Sequence, residues 1–324
     1  MKYFYLLMAF LGVFITVQAQ DTVVVNTVEE AIIAGKQKKY IGLTLYGDSS
    51  QVFPQAFFEI PSAYLLALII DNCDYTKIPE ALKRYTQLIY VRYSWFYFSD
   101  SPIDQFPIVF TKLPNLNTLI IEGTNLAEVP KEINQLNQLE HLNIYKGNLA
   151  TFPTAVLELE NLKSLQLPCH DFTAIPDDID RLKNLETLYF DGGACGATPI
   201  SYIPERIGNL QKLKNFSIGY SKKRLQLPLS FTTLQNLEYF GCYGCGIQEL
   251  PKDIDKLKKL QHLTLLNMED FRPFPESIFR LPALNDFTFY QYGKEVDPLL
   301  LAQKKQFDAW GAGIERYSFA INQN

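Results

Sequence analysis

A hydrophobic residue followed by proline recurs ten times along this chain. The spacing of these dipeptides restricts the fold more than any other feature. They are Phe53-Pro54, Ile78-Pro79, Phe106-Pro107, Val129-Pro130, Phe152-Pro153, Ile175-Pro176, Ile203-Pro204, Leu227-Pro228, Leu250-Pro251 and Phe274-Pro275. Successive prolines stand 25, 28, 23, 23, 23, 28, 24, 23 and 24 residues apart, a base period of 23. A fixed period of that size marks a repeat architecture, in which one supersecondary unit stacks on the next.

Counting from each proline resolves five apolar columns. Row Pro130 shows them as Ile133, Leu136, Leu139, Leu142 and Ile144, and row Pro153 as Val156, Leu159, Leu162, Leu165 and Leu167. The apolar step is three up to the ninth position, which suits a short helical or 3-10 segment that proline opens without needing an N–H. Between positions twelve and fourteen the step is two, the alternation of a strand. Each row is therefore one helical turn plus one short strand, and the strands stack in parallel about 4.8 Å apart.

Rows such as Pro130-Lys-Glu-Ile-Asn-Gln-Leu-Asn-Gln-Leu-Glu-His-Leu-Asn-Ile resemble the 23-residue leucine-rich repeats of the plant intracellular Ras-group class and related bacterial proteins. The resemblance covers roughly residues 40 to 292. It implies an α/β solenoid, a horseshoe whose parallel sheet lines the concave face, with binding rather than catalysis as its activity. That family usually places asparagine seventeen residues after the proline, where its side chain ladders to neighbouring backbone. Here the column reads Asp71, Phe96, Thr124, Gly147, His170, Gly193, Ser221, Cys245, Met268 and Tyr292. Thr, Ser and Cys bond weakly and Phe, Gly and Met not at all, so looser turns are expected.

Four regions follow. Residues 1–19 read as a cleaved secretory signal: Lys2, an apolar run from Tyr3 to Val17, and small residues in Val17-Gln18-Ala19 before Gln20. No cysteine stands at the cleavage point to carry a bacterial lipid anchor. The run is shorter than the roughly 20 apolar residues of a membrane span, and no later stretch is longer. The protein is thus expected to be secreted or periplasmic, with no integral membrane segment after processing. Residues 20–45 read as an N-terminal cap with a first strand at Leu43 and Leu45. Its helix is opened by the capping box Thr27-Val28-Glu29-Glu30 and ended by Gly35. Residues 46–292 hold the ten rows. Residues 293–324 form a C-terminal cap, with a helix from Pro298 to about Ala309 closed by Gly311, then a strand carrying Tyr317, Phe319 and Ile321. Both caps resemble those of secreted bacterial leucine-rich repeat proteins. Two rows carry five extra residues, near Trp95–Gln105 and Asp191–Tyr202. These are loops at the sheet edge that either carry function or reflect tolerated drift.

With positions twelve and fourteen inward, positions eleven, thirteen, fifteen and sixteen form or flank the concave surface. From the second row onward they include Tyr90, Arg92, Trp95, Glu122, His141, Asn143, Tyr145, Lys146, Gln166, Tyr189, Asp191, Tyr220, Tyr239, Tyr243, His262 and Tyr290. Seven of the seventeen tyrosines beyond the signal fall in these 36 positions, a roughly threefold enrichment in a register set by proline alone. Tyrosine offers wide contact with few rotors to freeze, which suits a protein or peptide ligand and equally stacking on a glycan. It also favours strands for its own sake.

Catalytic and metal chemistry finds no support. His141 and His262 share a column but stand five rows apart, roughly 20–25 Å at the strand spacing, whereas zinc ligands converge within about 2.3 Å. Glu122 and Asp191 are three rows apart, roughly 15 Å, wider than the 5–9.5 Å of glycosidase pairs. No cofactor is implied. Cys242-Tyr243-Gly244-Cys245 has the spacing of a redox motif, but positions fourteen and seventeen both face inward, which makes core cysteines the better reading. Cys169 and Cys195, on adjacent rows near the strand ends, are candidates for a disulfide. Asp191-Gly192-Gly193-Ala194-Cys195-Gly196 lacks the lysine and helix of a phosphate loop and reads as a turn. The charge is −5, or −6 once Lys2 is cleaved off, which opposes a nucleic-acid partner. Lys222-Lys223-Arg224 reads as a solvated loop. An enzyme site in the two long loops is the third alternative, after protein and glycan binding.

Overall fold

The computed structural model describes residues 22–47, 52–73, 75, 77–95, 103–191, 198–219, 221, 223–269, 271–293 and 298–323. The expected signal, Cys195, Tyr220 and the middles of both long insertions lie outside them. Thirteen strands form one parallel sheet whose spatial order is the chain order. They are β1 (Thr22–Val25), β2 (Tyr40–Tyr46), β3 (Leu65–Asp71), β4 (Tyr90–Ser94), β5 (Thr118–Glu122), β6 (His141–Tyr145), β7 (Ser164–Gln166), β8 (Thr187–Tyr189), β9 (Asn215–Gly219), β10 (Tyr239–Tyr243), β11 (His262–Met268), β12 (Asp286–Gly293) and β13 (Arg316–Gln323). This is the leucine-rich repeat solenoid that the proline ruler implies.

The step of three has a direct cause. In row Pro130 the N–H of Ile133 donates to Pro130 O, Leu136 to Ile133 O and Leu139 to Leu136 O, at 3.1, 3.1 and 2.9 Å. The apolar columns are the donors and acceptors of successive i→i+3 bonds, so they eclipse and share one face. Proline stands before each 3-10 segment, not inside it: one residue before in most rows, and three before where the segment starts at Ile179 or Ile254. Pro130 has φ −68° and ψ 150°, an extended geometry that its ring fixes in advance. The strand register is equally regular: Tyr90, Thr118, His141, Ser164, Thr187, Asn215, Tyr239, His262 and Asp286, all eleven after a proline, pair strand to strand. Positions twelve and fourteen enter one continuous core; Leu142 is 1% exposed and Ile144 0%.

Two ladders tie row to row. Asn115, Asn161, Asn184 and Asn236, each eight after its proline, donate Nδ2 to the carbonyls of Thr86, Asn137, Glu160 and Gln211 one row back, at 2.8, 2.7, 2.8 and 2.6 Å. The chain thus has an asparagine ladder at the strand entrance. At the exit, where asparagine is missing, other groups bond the turns. Thr124 Oγ1 donates to Lys146 O, and His170 Nε2 lies 2.9 Å from Ile144 O. Thr198, returning from the second insertion, accepts from His170 N and donates to Leu167 O. These exits are bonded, against the expectation of looser turns.

The first row is two residues longer than its register suggests. Ala67 pairs with Tyr90, and β2 against β3 shifts register between Ile41 and Gly42. The seventeen position of that row is therefore Cys73, not Asp71, and its buried thiol donates to Leu45 O.

Both ends are capped. The helix α1 (Val28–Lys36) starts at Thr27, whose side chain accepts from Glu30 N, while Glu30 Oε2 accepts from Asn26 N. Gly35 does not end it. The left-handed residue is Lys38, and Gly35 is an interior position against Pro61, where a Cβ would stand 2.6 Å from the ring Cδ. The strand β1, which the sequence reading did not anticipate, adds a thirteenth rung beside β2. At the far end α2 (Pro298–Gly311) precedes β13, and Phe307 stacks on Phe287 at 5.4 Å with contacts to Phe274 and Phe319.

Candidate functional site

Because a strand alternates, the residues between buried ones face the open side of the sheet: in β6, His141, Asn143 and Tyr145 are half-buried while Leu142 and Ile144 are buried. The same alternation sets Gln166, Tyr189, Asp191, Tyr239, Tyr243, His262 and Tyr290 half-buried on that face, with Lys146 exposed at its edge.

The face is not uniform. Over β3 to β5 it is largely closed. Tyr90 is 2% exposed and packs with Ala67, Ile120, Ile69 and Ile89 in a small apolar cluster separate from the main core. Glu122 is buried and paired with Arg92 at 2.8 Å, their side chains 10% and 15% exposed. Tyr90 and Glu122 are thus corrected from contact residues to packed ones, and Arg92 is committed to Glu122. Burial pushes the Glu122 carboxyl up, with Arg92 opposing that shift.

From β6 to β12 the face is accessible. Tyr189 and Tyr239 have ring centroids 6.4 Å apart, although β9 runs between their strands, and Tyr239 lies 6.4 Å from the His262 ring. The Tyr239 and Tyr243 hydroxyls are 2.5 Å apart. What permits this is small residues beneath the rings. A Cβ on Gly241 would stand 2.6 Å from Tyr239 Oη and 2.9 Å from Tyr243 Cε2, so both rings fold over it. Ser217, beside Gly241 in register, is 3% exposed. The result is an aromatic platform across β8 to β11, bounded by Asp191 and by the His262–Asp286 contact of 3.4 Å, where Asp286 also meets Arg316 at 3.8 Å. The sequence reading named the tyrosines but not this floor. The signal was present in Tyr239-Phe-Gly-Cys-Tyr243, where glycine separates two outward aromatics.

Burial, the Tyr243 hydroxyl and the Asp191 carboxylate push Tyr239 well above its usual range; burial first, then Tyr243 and Asp191, raises Tyr189. They stay neutral and act as hydrogen-bonding aromatics. Among the described residues no group of three or more His, Cys, Asp or Glu could hold a metal ion, and no helix is long and apolar enough to cross a membrane.

Behind the platform, Cys242 and Cys245 are 0% and 1% exposed and joined in a disulfide. The expected burial is seen, but the pair is bonded. Gly244 at φ +64° turns the chain so that positions fourteen and seventeen meet, with Cα atoms 5.5 Å apart, within disulfide reach. Cys169 is also disulfide-bonded, and Cys73 is a buried thiol hydrogen-bonded to Leu45 O. A recess of about 880 Å³ lies instead on the side of the 3-10 segments, lined by Tyr202, Arg224, Leu229 and Lys252. Its Glu205 accepts from the N–H groups of Leu229 and Ser230, which makes it a seam between rows.

No family model and no curated protein matches this chain. Solved structures do. A leucine-rich repeat protein of Leptospira interrogans aligns with a TM-score of 0.63 and 20% identity over 87% of this chain and 74% of its own. The ectodomain of the Arabidopsis receptor kinase HAESA, in complex with an IDA peptide hormone ligand, gives 0.55 and 20% over 77% of this chain and 41% of its own. The functional domain of InlJ from Listeria monocytogenes gives 0.52 and 16% over 79% and 58%. At such identities the likeness establishes the leucine-rich repeat fold.

Proposed function

We propose that this leucine-rich repeat chain is a non-enzymatic recognition protein of the 23-residue class that binds a protein or peptide on the C-terminal half of its concave face. The observation that carries this reading is the half-buried platform of Tyr189, Tyr239 and Tyr243, set over small residues on a rigid sheet. Large, weakly rotating aromatics of this kind dominate binding energy at interfaces. The peptide bound by the HAESA ectodomain is a precedent from the same fold. Fold alone does not give function, so the argument rests on the surface. Tyr145, Gln166, His262 and Tyr290 extend it. Tyr90 and Glu122 are left out.

The action is placed outside the cytoplasm. The signal-like residues 1–19 support that placement, and so do the buried Cys242–Cys245 bond and the bonded Cys169, for which Cys195 is the proposed partner. The test is site-specific photo-crosslinking in the presence of envelope or host extract. A crosslinker at Thr264, on the concave side of β11, is expected to trap a partner, and the Tyr189→Ala, Tyr239→Ala, Tyr243→Ala background to abolish trapping. Trapping only from a crosslinker at Lys252, on the opposite side, would refute the assignment.

A further inference from the structure

The chemistry of the accessible face is one-sided. From β7 to β12 the four outward columns contain no lysine and no arginine. They hold Asp191, Asp286, His262 and five tyrosines. The basic residues flanking these columns are Lys146 at the end of β6, Lys163 and Lys214 directly before β7 and β9, paired with Glu140 and Glu186, and Arg316 on β13, held by Asp286. Asp191 lies beside the platform, its Oδ1 2.8 Å from where a Gly219 Cβ would be, so only a residue without a side chain fits next to it.

On the reading that this face is the docking surface, we propose that its occupant is an extended peptide segment bearing arginine or lysine. The cationic head lies on the Tyr189–Tyr239–Tyr243 platform beside Asp191. Three physical features converge on this. A tyrosine ring presents a negative face, which attracts a cation centred within about 6 Å. The rings are half-buried and adjoin one another, so the attraction acts in a medium less polar than water. An acidic segment would meet the Asp191 carboxylate beside the rings, so the face selects by sign of charge as well as by shape. Uncharged segments gain the aromatic contact alone. The ring faces and the carboxylate together give an electronegative surface, and the small Gly241 and Ser217 beneath leave room for a chain to cross the strands.

The experiment uses the full chain immobilised and a pool of acetylated, amidated octapeptides with randomised positions. The bound fraction is sequenced, and selected peptides are titrated against four proteins: the parent, Asp191→Asn, Tyr189→Leu/Tyr239→Leu and the triple tyrosine-to-alanine variant. Each variant is first checked for an unchanged thermal midpoint. The proposal expects the bound fraction to be enriched in Arg and Lys, and affinity to fall about tenfold with Asp191→Asn or the leucine pair, which keeps bulk and removes the ring face. A bound fraction without basic enrichment that the triple variant still fails to capture overturns the cationic occupant and leaves the concave docking surface standing. Binding unaffected by the triple variant, or no bound fraction for the parent, overturns both.

Discussion

His170 occupies the column where similar repeats usually carry asparagine, and it shows how a different side chain meets the same demand. Its Nε2 reaches Ile144 O of the preceding row while Thr198 accepts from its N–H, so a buried turn keeps its bonds. That solution depends on pH. Burial holds the imidazole below the usual value near 6.5, so the unfolded chain takes up its proton at higher pH than the native one. Stability is complete above the unfolded value and is lost as pH falls through the depressed native value. His141, half-buried and also lowered by burial, acts with the same sign. Replacing His170 with Asn is therefore expected to flatten the decline of the thermal midpoint between about pH 7.5 and 5. The slope that remains belongs to His141 and other groups. An unchanged slope would show that His170 is not the titrating group.

At the scale of the element, the decisive question is how closely neighbouring pieces approach. The first helix, α1, tolerates a glycine in its interior because Pro61 presses on it. Gly35→Ala gains roughly 1 kcal/mol of helix propensity but forces a methyl into the proline ring, an overpacking cost of roughly 1–3 kcal/mol. Net destabilisation is expected, read as a lower denaturant midpoint at unchanged slope; a higher midpoint would mean that the helix and Pro61 separate without cost. Gly35 reads in sequence as the helix end because glycine commonly stops helices. Contact with a distant proline is invisible to that rule. The Cys242–Cys245 bond was missed for a related reason. Column counting gave the facing of each cysteine, but only the turn at Gly244 brings their Cα atoms together. In contrast, the 3-10 segments and strands were legible, since their step of three and step of two are properties of the local backbone.

At the scale of the molecule, sheet order equals chain order, so among the described residues each inner strand pairs with its two neighbours in sequence. A row by itself leaves both apolar faces in water, and only the caps close the array. The C-terminal aromatic cluster around Phe307 and the N-terminal β1–α1 unit are those closures. Ending the chain after Leu159 is expected to give an aggregating fragment that binds hydrophobic dye, because Leu142, Ile144 and Val156 would lose the row that covers them. A soluble fragment with a single cooperative transition would contradict the stacking argument. Tertiary structure also divides the concave face at this scale. The β3–β5 portion is filled by its own Tyr90 cluster and the Arg92–Glu122 pair, and the β6–β12 portion is left for contact.

The amino-acid sequence alone determined the period, the parallel order, the register from the second row onward and which side chains enter the spine there, because each of these follows from residue spacing on a backbone with few allowed geometries. It also nominated the tyrosine columns, since facing alternates along any strand. Whether an outward residue is accessible was decided in three dimensions. Exposure depends on what neighbouring rows place beside it: Tyr90 and Tyr239 hold the same column, yet one is sealed by Ala67 and Ile120 while the other folds over Gly241 and keeps part of its ring in solvent.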